Sequence, residues 1–142
     1  MKKCIKCSCI IVVLIGTLVL FSSCYTIMER KYYADKSNYV NATGVVDFLN
    51  YSENPARLYV SFNDLEPNVF STSGFKLVGE NAELVLERGI KEKLKLGDRV
   101  EFISAPEYFG DGYVMPIVSI TVNGEELLSF EEGYAGLMKY LN

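Results

Sequence analysis

The sequence of 142 residues predicts a mainly β fold, a small barrel of five to six strands with a short helix between strands 3 and 4. Three observations favour this class. Residues 57–62 alternate apolar and polar side chains, turn residues separate several further apolar segments, and only two short stretches have a helical pattern. A C-terminal helix is expected after the last strand, and an apolar N-terminal segment precedes the domain.

The predicted strands begin just after Asn38. Leu58, Val60 and Phe62 share one face of the second strand, as expected for a half-buried strand. Gly44, in the middle of the first strand, indicates a bulge or a sharp bend. Asn123-Gly124 is the strongest hairpin signal in the chain. The predicted strands are Tyr39–Leu49, Arg57–Phe62, Phe75–Val78, Arg99–Ile103, Val114–Val122 and Glu125–Phe130.

Two segments are predicted to be helical. Asn81 is a suitable N-cap for a helix over Ala82–Arg88, and Gly89 would end that helix. A terminal helix is expected over Glu131–Leu141, although two glycines within it reduce its helical propensity.

This order of strands and helix resembles the OB-fold, a small Greek-key barrel. The resemblance covers about Asn38 to Phe130 and rests on the order and length of the elements, because no sequence motif supports it. An SH3-like barrel or a small sandwich would give a similar succession. In the OB-fold the ligand face lies on strands 2 and 3 and is bordered by the 1–2 and 4–5 loops.

The first 24 residues have the layout of a secretory signal peptide. Three lysines at positions 2, 3 and 6 precede an apolar run at Ile10–Phe21, and Ser22 and Ser23 follow it. The run is shorter than the roughly 20 residues that a membrane-spanning helix needs. An ordinary cleaved signal, a short uncleaved anchor and a buried core helix are the alternatives.

The cysteine after these small residues makes the segment resemble a bacterial lipoprotein signal, with the lipobox Leu20-Phe21-Ser22-Ser23-Cys24. Phe21 departs from the family pattern, in which Leu is commonest. The resemblance implies that Cys24 carries the lipid (a diacylglyceryl thioether labelled by palmitate) and becomes the mature N-terminus. It also implies a location at the cell membrane, on its extracytoplasmic face. The predicted divisions are a signal peptide at 1–23, a tether at 24–37 and the barrel domain at 38–142.

The predicted mature chain is acidic. Three of the 14 lysines and arginines lie before Cys24, so residues 24–142 carry 11 basic and 18 acidic side chains, a formal charge of −7. Nucleic-acid binding rests mainly on Lys and Arg that neutralise phosphates, so no nucleic-acid partner is expected. The membrane is the expected partner through the lipid anchor.

The composition also limits the chemistry. The chain has no histidine, and Cys24 would be its sole mature cysteine, so His-dependent triads and an internal disulfide are excluded. Cys4, Cys7 and Cys9 would leave with the signal, and Asp111 is a turn residue. We expect no metal site, no cofactor and no enzymatic activity.

The tyrosines give the one positive indication of a ligand site. Tyr108, Phe109 and Tyr113 flank a Gly-Asp-Gly turn, and Tyr51 lies near the first hairpin loop. Tyr59 points away from the core face of its strand. If the 1–2 and 4–5 loops stand side by side, these rings form a binding surface. The alternative is that the rings plug the end of the barrel.

Three functions are compatible with these features. The leading hypothesis is a lipid-anchored extracytoplasmic binding or interaction module of the bacterial envelope, with an envelope protein, a peptide or a glycan as its partner. The second is a small inhibitor or immunity-type lipoprotein that uses an acidic surface. The third is a hydrolase that uses two carboxylates.

Overall fold

A computed structural model describes Thr17, residues 24–109 and residues 112–142. The predicted signal peptide, with Cys4, Cys7 and Cys9, lies outside the described residues except for Thr17, and so do Gly110 and Asp111. The chain divides into two compact units, residues 1–32 and residues 33–142. In the first unit, residues 24–32 are helical. Within the described ranges, no helix is long and apolar enough to cross a membrane.

The second unit contains six strands, three α-helices and one short 3-10 helix at Lys36–Asn38. The predicted strands are all present, and the α-helix at Ile90–Lys93 is an addition that the sequence did not indicate. In chain order the elements are β1 (Val40–Glu53), β2 (Ala56–Glu66), β3 (Gly74–Val78), α1 (Glu80–Glu87), α2 (Ile90–Lys93), β4 (Arg99–Ser104), β5 (Val114–Val122), β6 (Glu125–Leu128) and α3 (Phe130–Tyr140).

The fold is a closed five-stranded barrel extended by one strand. The sheet order is β3-β2-β1-β4-β5-β6, and a parallel pairing of β3 with β5, from Gly74↔Val114 to Lys76↔Pro116, closes the ring. All other strand pairs are antiparallel. This closure and the helix between β3 and β4 confirm the predicted OB-like barrel.

Three phenylalanines from different strands form the centre of the core. Phe62 of β2 stacks on Phe102 of β4 with ring centroids 4.6 Å apart, and Phe75 of β3 meets Phe102 edge to face at 4.8 Å. All three side chains are buried. The alternating residues Leu58, Val60 and Phe62 face this core, as the period of two predicts.

Strand β1 is bent by two irregularities in its pairing with β2. The first lies between Thr43 and Val45, at Gly44, where an added Cβ would lie 2.7 Å from the Cβ of Phe62. The second lies between Val46 and Phe48. A bulge at Gly44 was predicted and is confirmed. The bend lets β1 pair with β4 along its first half and with β2 along its second half.

The two longer helices pack against each other through one buried polar contact. Asn81 was predicted to be the N-cap of the first helix, and that prediction is wrong. Gly79 occupies the N-cap position, and Asn81 is the second residue of α1. Its Nδ2 donates a hydrogen bond to the carbonyl of Gly133 in α3 at 2.8 Å. Asn81 is 3% exposed, so it links the helices and does not cap one.

The glycines of α3 allow this helix to approach its neighbours. An added Cβ on Gly133 would lie 1.9 Å from the carbonyl oxygen of Val118, and one on Gly136 would lie 2.0 Å from Oδ1 of Asn81. The glycines that lower the helical propensity of this segment are therefore the residues that let it dock.

Candidate functional site

The structure does not bring the predicted aromatic site together. Along β3, Gly74 pairs with Val114 beside the β4–β5 loop, whereas Val78 pairs with Arg57 beside the β1–β2 hairpin. The two loops therefore lie at opposite ends of β3. The prediction that Tyr51 faces Tyr108 or Tyr113 is wrong for this reason.

Tyr51 itself packs toward the barrel interior. It contacts the core, and its hydroxyl is buried without a hydrogen-bond partner among the described residues. Burial of the phenol raises the pKa of Tyr51, and the nearby Glu92 carboxylate adds to that effect. The bulge between Val46 and Phe48 shifts the alternation by one residue, which turns Tyr51 inward and leaves Phe48 52% exposed.

The other predicted rings occupy three separate positions. Tyr108 and Tyr113 meet edge to face at 5.1 Å, and Tyr113 is 65% exposed. Phe109 instead packs on Tyr33 at 5.5 Å. Tyr59 lies on the outer face of β2, opposite Lys76 of β3, as its alternation predicted. Tyr108 and Tyr113 are thus the part of the predicted site that forms a local pair.

Cys24 is a free, exposed cysteine in the helical segment at residues 24–32. Its accessibility is compatible with modification, but the signal residues that would direct a lipid to it lie outside the described part of the chain.

A groove on the outer face of β1, β4 and β5 is the second candidate site, and sequence reasoning missed it. Its volume is about 340 Å³. We call it the acidic groove, because three glutamates line it. The residues that line it are Asn41, Ala42, Thr43, Glu66, Glu101, Phe102, Ile103, Ser119, Thr121 and Glu126.

The glutamates and threonines of the acidic groove form one continuous row across five strands. The register pairs Glu66 with Thr43, Thr43 with Glu101, Glu101 with Thr121, and Thr121 with Glu126. Acidic and hydroxyl side chains therefore alternate from β2 through β1, β4 and β5 to β6. Neighbouring strands lie about 4.8 Å apart, so successive glutamates are anchored about 10 Å apart.

The charge of the acidic groove is not balanced by its own lining. The described lining residues include no lysine or arginine, and none of the three glutamates has an ion-pair partner in the described part of the chain. Two arginines interact with residues of the groove. Arg99 Nη1 donates to Oγ1 of Thr43 at 3.4 Å. The pKa of Arg88 is raised mainly by its hydrogen bond to Glu132 and also by the charge of Glu126. The other guanidinium nitrogen of Arg99 is paired with Asp64, outside the groove.

A second, shorter row lies beside the first. Asn41 pairs with Ile103, and Ile103 pairs with Ser119. Ser119 is 7% exposed, and its hydroxyl has no hydrogen-bond partner among the described residues. This hydroxyl opens into the groove, where it can form a hydrogen bond with a bound ligand.

The chemistry of the acidic groove is that of a hydrogen-bond acceptor. Ionised carboxylates only accept, and the hydroxyls of Thr43, Thr121 and Ser119 can accept as well. The described residues contain no group of three or more His, Cys, Asp or Glu side chains arranged to hold a metal. The three glutamates of the row are instead anchored along about 19 Å. The groove therefore suits an elongated ligand with several positive donors.

Comparisons of the chain with protein-family models, with curated proteins and with solved structures gave no match. The ligand of the groove must therefore be inferred from its own chemistry. The sequence signal for the acidic groove is alternation. Glu101 in β4 and both Ser119 and Thr121 in β5 stand between core residues and so point outward. Their lateral alignment depends on register, which a single sequence does not reveal.

Proposed function

We propose that this chain is a lipid-anchored binding module on the extracytoplasmic face of the cell membrane, with the acidic groove as its ligand site. The alternating row of three glutamates and two threonines carries the proposal. An OB-like barrel provides a rigid frame for such a site, since the row is fixed by five hydrogen-bonded strands.

The anchor rests on the N-terminal sequence. The lysine-rich head, the short apolar run and the lipobox ending in Cys24 support lipidation, and an acidic domain would gain no attraction to anionic lipid headgroups. More than one acyl chain is needed for stable attachment, at about 0.8 kcal/mol per buried methylene. Palmitate labelling and membrane fractionation of the full chain in a bacterium should show label on the wild type and none on Cys24→Ala. Equal labelling of both would refute the anchor.

The ligand site rests on uncompensated charge. A positively charged ligand would neutralise carboxylates that have no ion-pair partner among the described residues. Added salt would screen the attraction between ligand and groove and so weaken binding. The full chain in a neutral detergent should bind cationic probes saturably, with weaker binding at higher ionic strength. Glu101→Gln, at the centre of the row, should weaken that binding. Binding of cationic probes that is indifferent to Glu101 would exclude the groove.

A second acidic surface favours the inhibitor-type function as the other candidate. A depression of about 450 Å³ between the β1–β2 hairpin and the helices α1 and α2 is lined by Glu83, Glu87 and Glu92, and its one lysine, Lys91, is paired with Glu53. A basic protein would find more contact area here than a small ligand needs. Binding of a basic protein that is lost in Glu83→Gln/Glu87→Gln, and kept in Glu101→Gln, would favour this function over the groove.

A further inference from the structure

We propose that the acidic groove binds a linear polyamine, a flexible chain with three or more ammonium groups separated by short methylene segments. This inference rests on the proposed function and specifies its ligand class. It is carried by the spacing of the row, by the hydrogen-bonding character of the lining and by the unsatisfied hydroxyl of Ser119.

The spacing of the row matches a polyamine in length. The anchoring points of Glu66 and Glu101 lie two strands apart, or about 10 Å, and those of Glu66 and Glu126 lie four strands apart, or about 19 Å. The terminal nitrogens of spermidine lie about 11 Å apart and those of spermine about 16 Å apart in extended chains, because each bond advances the chain by about 1.25 Å. Flexible glutamate side chains accommodate the remaining difference. An internal ammonium group would then lie near the hydroxyl of Thr121, whereas the hydroxyl of Thr43 already accepts a hydrogen bond from Arg99.

The lining favours a polyamine over a basic peptide. A peptide needs partners for its own carbonyl groups, and the groove offers carboxylates and hydroxyls that mainly accept. Peptides commonly obtain such partners by adding a strand to a sheet edge. Here β1, β4 and β5 are each paired on both sides, so the floor of the groove has no free edge. A polyamine carries only donors, which is the complement of this lining.

Ser119 gives the groove a second, uncharged indication of a ligand. Its hydroxyl lines the groove, the residue is 7% exposed, and among the described residues it has no hydrogen-bond partner. An ammonium group that donates to this hydroxyl would satisfy it. Ile103, in the same row, offers apolar contact to the methylene segments.

The test is calorimetric titration of the full chain in a neutral detergent with putrescine, spermidine, spermine and oligolysine. Spermine and spermidine should bind, and putrescine, which has two ammonium groups and no internal one, should bind at least about tenfold more weakly. Glu101→Gln should weaken spermidine binding about tenfold, as expected for the loss of one charge-assisted contact. Glu126→Gln is a second variant that should weaken spermine binding more than spermidine binding.

Two controls separate the groove from general charge attraction. Glu131→Gln on α3 changes the net charge by the same amount outside both acidic surfaces, and it should leave spermidine affinity within about twofold. Ser119→Ala changes no charge and should still weaken binding severalfold. Far-ultraviolet circular dichroism and the melting temperature of each variant establish that it is folded.

The outcomes distinguish the ligand class from the site. Equal weakening by Glu131→Gln and Glu101→Gln would overturn the polyamine site, because it would show diffuse attraction. Oligolysine binding that depends on Glu101, without spermidine binding, would overturn the ligand class and keep the groove as the site. Failure of every cationic probe to bind would refute both the polyamine and the proposed function of the groove.

Discussion

The hydroxyl of Tyr33 donates a hydrogen bond to the main-chain carbonyl of Glu107 at 2.9 Å. Tyr33 is 2% exposed, and its ring also packs edge to face on Phe109. One side chain just before the barrel therefore holds the β4–β5 loop at two points. The carbonyl of Tyr33 in turn accepts a hydrogen bond from the hydroxyl of Tyr39 at 2.8 Å.

Tyr33→Phe should destabilise the domain by about 1 kcal/mol, because it removes the partly buried hydrogen bond to the carbonyl of Glu107 while keeping the ring. The loop should also open more often, which faster exchange of the Ser71 amide would report, since that amide donates to the carbonyl of Pro106. Tyr39→Phe removes the hydrogen bond that the Tyr39 hydroxyl donates to the carbonyl of Tyr33, and it serves as the control. Equal exchange at Ser71 in both variants would show that Tyr33 does not restrain the loop.

Gly133→Ala should destabilise the domain by about 1–3 kcal/mol, although alanine is the better helix former. The added methyl would overlap the Val118 carbonyl oxygen, a backbone atom of the central strand β5 that cannot move away cheaply. Chemical denaturation measures the loss. Ala135→Gly, at an exposed position of the same helix, measures the effect of helical propensity alone, which is about 1 kcal/mol in the free energy of unfolding. A stabilised Gly133→Ala would show that α3 is not docked as closely as described.

The ion pair between Glu132 and Arg88 should make stability depend on acid pH. Two hydrogen bonds from the Arg88 guanidinium, at 2.7 and 3.1 Å, and those from Ser129 lower the pKa of Glu132 from 4.5 to about 2. Because the folded state lowers this pKa, the ionised carboxylate stabilises the fold above about pH 4.5. That contribution is lost as the pH falls toward about 2.

Melting temperatures of the wild type and Glu132→Gln should therefore differ at neutral pH and converge between pH 4.5 and 2. The side chains of both partners are partly exposed, so the difference is reduced by solvent screening. Glu131→Gln is the control, since the pair of Glu131 with Lys36 is more exposed and should contribute less. A pH-independent difference between the wild type and Glu132→Gln would contradict the role of ionisation.

Tyr113→Ala should leave the melting temperature nearly unchanged, because most of this ring is in solvent. Tyr108→Ala should lower it, since Tyr108 packs partly against the core. If the tyrosine pair also contacts a ligand, Tyr113→Ala would reduce binding without loss of stability. Comparing the two single variants separates a packing role from a binding role. A large loss of stability in Tyr113→Ala would show that the ring is packed inside.

The fold could be predicted because each of its decisive signals is local. Alternation predicted β2, Asn123-Gly124 marked the β5–β6 turn, and Gly44 marked the bend of β1. Both turn residues have positive φ, 52° and 79°, as a two-residue hairpin of this type requires. The N-cap of α1 was misassigned because the Asn81 side chain donates a hydrogen bond to the carbonyl of Gly133. Gly133 is distant in the sequence, so no local pattern indicates this contact.

The candidate site was harder to predict because it depends on the register between strands and on which side chains of each strand face inward. One bulge in β1 reverses which side chains face inward, so Tyr51 becomes part of the packing and Phe48 is exposed. The acidic groove requires five strands in one alignment, and its glutamates are separated by up to 60 positions in the chain. Of the adjacent pair Glu125-Glu126, Glu126 lines that groove, whereas Glu125 pairs with Lys93.

The pairing of β3 with β5 also affects the tendency of the domain to aggregate at high local concentration. It satisfies backbone donors and acceptors that an open sheet would offer to another copy of the chain. The strand beyond the ring, β6, is four residues long and begins with Glu125 and Glu126, whose like charges disfavour a matching strand. Both features disfavour edge-to-edge aggregation of the barrel domain.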